Sequence, residues 1–150
     1  MPDFKPVIGD ARLTFAREPD GLYDLIIVDA YSSDAIPIHL ATKEAMAIYK
    51  AKLAPQGAVV MHVSNRHLEL ESVVVGIADA NELKSWVYDE DSGRDDEYIF
   101  STDVVVSARE ETDVGSLASS DKWDERQPTE GQRVWTDDYS NVLEIGRAHV

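Results

Sequence analysis

Two carboxylates and a phenol fall within one short stretch, Asp29-Ala30-Tyr31-Ser32-Ser33-Asp34, followed by Ala35-Ile36-Pro37. Such a group can hold a cationic amine between fixed anions and take a proton from it. Asp29 follows Leu22-Tyr23-Asp24-Leu25-Ile26-Ile27-Val28, so its carboxylate is expected to be partly desolvated, which raises the basicity of an aspartate. Spacing alone is equally compatible with a plainer role, in which Asp29 caps the loop backbone and Asp34 is solvated. The four histidines, His39, His62, His67 and His149, include no i, i+4 pair, and there is no cysteine. That pattern argues against a metal centre and excludes a thiol nucleophile. No Gly-x-Ser-x-Gly or phosphate-loop motif supports hydrolase chemistry.

The elements that must position these groups alternate. Val7-Ile8 is a short apolar piece that turns at Gly9-Asp10 into a helix carrying Leu13 and Phe15. The run 22–28 suits a parallel strand buried on both faces. Thr42 reads as an N-cap with Glu44 in the first turn, and the helix it opens runs to about Leu53, before Pro55 and Gly57. Ala58 to Val63 is the next strand. Leu70, Val73, Val74 and Ile77 keep the spacing of one buried helix face. Leu83 to Tyr88 and Ile99 to Ser107 read as two more strands, joined by an acidic loop over 89–97. Beyond Glu110 the chain is polar and reads as irregular, with Trp123 and Trp135 as isolated anchors.

Strand, helix, strand, helix, strand defines an α/β domain with a mostly parallel, Rossmann-like sheet. Ligands of such sheets bind at the carboxyl ends of the strands, where Asp10, Asp29 and Asn65 are all expected. The net charge of −15, from 29 acidic and 14 basic residues, repels nucleic acid and suits a cationic ligand or simple solubility. No apolar run approaches the roughly 18 residues of a membrane span. No signal peptide is visible at Met1 to Pro6, which leaves the cytosol as the default compartment.

Several of these stretches resemble the spermidine synthase (polyamine aminopropyltransferase) family. Gly9-Asp10-Ala11-Arg12 and Tyr23 to Tyr31 look like the second half of its Rossmann-like domain, of the S-adenosylmethionine-methyltransferase type. Ser32-Ser33-Asp34-Ala35-Ile36-Pro37-Ile38-His39-Leu40 and Trp135-Thr136-Asp137-Asp138-Tyr139-Ser140-Asn141 are similar to its bacterial spermidine-synthase-like, sometimes fused, branch. The resemblance implies aminopropyl transfer from decarboxylated S-adenosylmethionine to a polyamine such as putrescine. It further implies Asp29 as the proton acceptor, Asp34 as an amine ligand, and Asp10 with Ala11 beside the adenine. Tyr31, Asp137 and Asp138 are the remaining expected substrate contacts. The same fold also serves S-adenosylmethionine-dependent methyl transfer, or binding of a nucleoside or polyamine without turnover.

No Gly-x-Gly-x-x-Gly turn occurs in the chain. The family resemblance implies that this turn and the first strands precede Met1, with membrane spans further upstream in the fused branch. On that expectation the family domain covers 1–143 as a C-terminal part that is inactive alone. Its strand ending at Asp29 then has an open edge, which favours aggregation or a homodimer. Residues 144–150, Glu-Ile-Gly-Arg-Ala-His-Val, resemble the translation of a sequencing adapter and are expected to be a non-native tail.

Overall fold

Asp10 ends an extended N-terminal segment and opens α1 (Ala11–Phe15) by accepting a hydrogen bond from the Leu13 amide at 2.9 Å. The computed structural model describes residues 3–30, 37–64, 69–88 and 103–142. Tyr31, Asp34, Asn65, His67, the acidic run 89–97 and the tail 144–150 lie outside the described residues. After α1 come β1 (Tyr23–Val28), a 3-10 turn over Ile38–Leu40, α2 (Lys43–Lys52) and β2 (Leu53–His62). Then follow α3 (Glu71–Asp79), β3 (Lys84–Tyr88), β4 (Val104–Ala108), 3-10 turns over Glu111–Ser119 and β5 (Trp123–Arg126).

The expected helices form where their caps and periodicity put them. Thr42 caps α2 by accepting from the Ala45 amide at 3.1 Å, and Glu44 lies in the first turn. At the other end of α2 the Arg109 guanidinium donates to the carbonyls of Lys50 and Ala54, at 3.0 and 2.9 Å. A cation there offsets the orphan carbonyls of the helix terminus. In α3, Val73, Val74 and Ile77 are buried, as is Leu70 just before the helix. These side chains, with Met46 and Tyr49 of α2, pack on Ile26, Val59, Met61, Val87 and Val105 of the sheet as one apolar core.

The five strands form one sheet in the order β1-β2-β4-β3-β5. The α2 crossover makes β1 and β2 parallel, and α3 carries the chain to β3, which runs the same way as β2. β4 then returns between them, antiparallel to both, and β5 adds an antiparallel strand outside β3. The Rossmann-like α/β class therefore holds, with fewer parallel pairings than strand–helix alternation suggests. The antiparallel pairing of β4 with both of its neighbours accounts for the difference.

Four local expectations are corrected. β1 is not buried on both faces: Leu25 is 52% and Ile27 64% exposed, because β1 is the edge of the sheet among the described residues. Val7 and Ile8 form no strand and are exposed, having no neighbouring strand among the described residues to pair with. β2 starts at Leu53 rather than Ala58, since an irregularity in its pairing between Tyr23 and Leu25 accommodates Pro55 and Gly57. The segment after Glu110 is ordered by a capping box between Glu110 and Asp113 and by β5, whose Trp123 packs edge-on against Tyr88. Among the described residues no helix is long and apolar enough to cross a membrane.

Candidate active site at the carboxyl end of β1

Asp29 is the first residue beyond β1, and the cleft beside it has a volume of about 320 Å³. Ile26, Val28, Phe15, Leu40, Tyr49 and Ala11 give the cleft an apolar lining, while Arg12 and Asp29 supply its polar margin. The Tyr49 hydroxyl donates to the Leu40 carbonyl at 2.9 Å, and burial pushes its ionisation up to about 12. Tyr49 is therefore a neutral wall, with its one proton already committed.

The desolvation expected for Asp29 is absent. Its side chain is 64% exposed, because the strand it follows is an open edge among the described residues. Its orientation comes from a neighbour instead. Asp29 Oδ1 lies 2.8 Å from His62 Nδ1, and His62 Nε2 lies 2.9 Å from Ser64 Oγ. Ser64 Oγ also accepts the Asp103 amide at 2.8 Å. His62 escaped the sequence reading as a site residue, although the strand-end rule that selects Asp29 selects it too. Val28 pairs with Met61 in the parallel register, so the two next residues emerge side by side.

Neither Asp10 nor Asp137 lines the cleft, but each adjoins a residue that does: Asp10 precedes Ala11, and Asp137 is bound to Arg12. Asp10 Oδ1 caps α1, and Oδ2 lies 3.4 Å from His39 Nε2. Asp137 grips Arg12 with both oxygens at 2.7 Å and accepts from Thr42 Oγ1 at 2.8 Å. The Arg12 hydrogen bonds, and then that of Thr42, hold the Asp137 carboxyl below the usual aspartate range. Arg12 also donates to the His39 carbonyl at 3.1 Å. Asp137 and Asp138 occupy a tight turn closed by reciprocal Thr136 and Tyr139 backbone bonds, and Asp138 is exposed. Asp29, Ala11 and Arg12, the last bound to Asp137, thus line one cleft, whereas Asp138 faces solvent. No group of three histidine or carboxylate side chains among the described residues could hold a metal ion.

No family model and no curated protein matches the chain. Several solved structures share its fold. A probable spermidine synthase from Corynebacterium glutamicum ATCC 13032 superimposes with a TM-score of 0.61 at 15% identity, over 89% of this chain and 54% of that one. MNMC2 from Aquifex aeolicus superimposes with a TM-score of 0.50 at 19% identity, over 77% of this chain and 38% of that one. The chain thus spans about half the length of the first structure and less of the second. At these identities the likeness is one of fold alone: a Rossmann-like α/β sheet.

Proposed function

We propose that this chain carries the amine-activating side of an aminopropyltransferase that uses decarboxylated S-adenosylmethionine and a polyamine such as putrescine. The observation that carries the reading is that Asp29 and Ala11, the residue after Asp10, line one apolar cleft. The apolar lining suits a nucleoside, and the exposed Asp29 carboxylate suits an ammonium group. Arg12 would repel both cationic substrates were it free, but its bidentate pairing with Asp137 offsets that charge. Asp29 is then the anion left to meet the amine. The net charge of −15 further favours approach of a polyamine.

In the reaction Asp29 accepts a proton from the substrate ammonium, leaving the nitrogen lone pair free to attack the aminopropyl carbon bonded to sulfur. The C–N bond forms as the C–S bond breaks, and the electron pair of the broken bond returns to sulfur. The products are methylthioadenosine and the lengthened polyamine, and the proton on Asp29 passes to water. Tyr31 and Asp34 are proposed to hold the distal ammonium, and Asp10 the adenine.

The test is methylthioadenosine release by the full-length protein from decarboxylated S-adenosylmethionine and putrescine, compared with Asp29→Asn. Loss of roughly a hundredfold or more in the variant supports the reading, that being the usual worth of a general base. Release unchanged in Asp29→Asn removes Asp29 as the base. Absence of release, with S-adenosylhomocysteine formed from S-adenosylmethionine instead, transfers the proposal to methyl transfer on the same fold.

A further inference from the structure

His62 and Ser64 have no part in the proposed transfer as written, yet they form a directed chain that ends on its base. The direction follows from the donors. The Asp103 backbone N–H can only donate, so at 2.8 Å Ser64 Oγ must accept from it. The Ser64 hydroxyl proton is then free to turn toward His62 Nε2 at 2.9 Å. A ring nitrogen that accepts carries no proton, so in the neutral imidazole the proton resides on Nδ1. Nδ1 faces Asp29 Oδ1 at 2.8 Å, and a carboxylate accepts from it. Each link of the chain therefore has one donor and one acceptor.

The backbone holds both ends of this chain in place. The parallel register pairs Val28 with Met61, which sets Asp29 and His62 on adjoining strand ends. Asp103, leading into β4, also accepts the Val63 amide through its carbonyl at 2.8 Å, so the Ser64 anchor belongs to the sheet. An exposed aspartate just past an edge strand would otherwise be free to sample its rotamers, and a base must be held within hydrogen-bond reach of the proton it takes.

We infer that His62 is a positioning residue for Asp29. In its Nδ1–H form it holds Oδ1 and leaves Oδ2 for the substrate ammonium, and Ser64 with the Asp103 amide selects that form. This rests on the reading of Asp29 as the base, and two measurements separate the two ideas. The first needs no turnover. In protein labelled with 15N-histidine, the His62 two-bond proton–nitrogen pattern is expected to report the Nδ1–H tautomer. Ser64→Ala and Asp29→Ala are each expected to shift it toward the Nε2–H form. All three side chains are at least partly exposed, so these variants keep the core intact. An Nε2–H tautomer in the unaltered protein, or a pattern indifferent to Asp29→Ala, overturns the inference.

The second measurement compares His62→Asn with His62→Leu in methylthioadenosine release by the full-length protein. The Asn Nδ2–H stands where the His Nδ1–H stood, so it can still hold Asp29, whereas Leu cannot. His62→Leu is expected to lose roughly ten- to a hundredfold in kcat with little change in KM, and His62→Asn to recover most of that loss. Equal activity of the two variants overturns the positioning role. If no form releases methylthioadenosine while the tautomer responds to Asp29→Ala, the aminopropyl reading fails and the Asp29–His62 pair stands.

Discussion

Arg12 and Asp137 lie 125 positions apart and meet through two hydrogen bonds of 2.7 Å. The pair ties the turn at 136–139 to α1, while the Trp135 carbonyl and the Glu44 carboxylate fasten the same turn to the start of α2. A double-mutant cycle with Arg12→Met and Asp137→Asn is expected to give a coupling of roughly 1 kcal/mol, the upper range for a half-exposed pair with fork geometry. The Asp137 carboxyl is lowered by Arg12, so the sign of the pH effect is set. Its contribution is fully present above the unfolded aspartate value of about 3.9 and is lost as pH falls through the lower folded value. Urea midpoints of the protein and of Asp137→Asn should therefore converge at the acid end. A gap that persists there would mean that the carboxylate charge is not the source.

Tyr49 supplies the alkaline counterpart. Burial raises its ionisation to about 12, above the ordinary tyrosine value of about 10. The stabilising neutral form is fully populated in both states below pH of about 10, and its contribution is lost as pH rises from there toward the folded value. Tyr49→Phe should remove that alkaline loss. At neutral pH it should cost about 1–3 kcal/mol, because it strips the buried Leu40 carbonyl of its donor. Denaturation followed from pH 7 upward checks both arms.

How much of this was legible follows from which interactions are local. The cap at Thr42, the periodic face of α3 and the hinge at Gly9-Asp10 are contacts within a few residues, so residue type and spacing declare them. The apolar run 22–28 declares a strand but not its neighbours. Whether Leu25 and Ile27 are covered depends on what packs beside β1, which no pattern within the run encodes. β5, Trp123-Asp124-Glu125-Arg126, carries charges because it is an edge strand, and charges hide a strand from a search for alternation. His62 and Arg12 owe their roles to partners 33 and 125 positions away. One rule, polar groups at the carboxyl ends of adjacent parallel strands, would have flagged His62 with Asp29; nothing comparable would have paired Arg12 with Asp137.

Gly57 and Gly76 should respond oppositely to alanine. A Cβ at Gly57 would meet the Tyr23 carbonyl oxygen at 2.8 Å and Leu53 Cδ2 at 2.9 Å, where β1 and β2 pass through their irregular register. The carbonyl cannot yield without moving β1, so Gly57→Ala should cost about 1–3 kcal/mol, outweighing the entropic gain of about 0.4–1 kcal/mol from restricting the unfolded chain. At Gly76, inside α3, a Cβ meets nothing within 4 Å. Gly76→Ala should therefore stabilise by about 0.5–1 kcal/mol. Urea unfolding of the two variants side by side decides it, and equal signs would sink the account of the β1–β2 register.

The free side of β1 should make the chain self-associate. Leu25 and Ile27 are 52% and 64% exposed along a strand whose outer backbone groups have no sheet partner among the described residues, and Leu22 just before it is 55% exposed. An exposed apolar edge strand is a template for pairing with another copy, and each half-exposed leucine or isoleucine covered there adds about 1 kcal/mol. Sedimentation velocity of this chain should show species larger than a monomer that grow with concentration. The double substitution Leu25→Lys, Ile27→Lys should restore the monomer while leaving the circular dichroism unchanged, since neither side chain belongs to the core. Lysine is the informative choice in a chain of net charge −15: it lowers the net negative charge, so any gain in monomer cannot be credited to added net repulsion. A chain that stays monomeric into the high-micromolar range would mean that the edge is covered, and the exposure of Ile27 would then need another explanation.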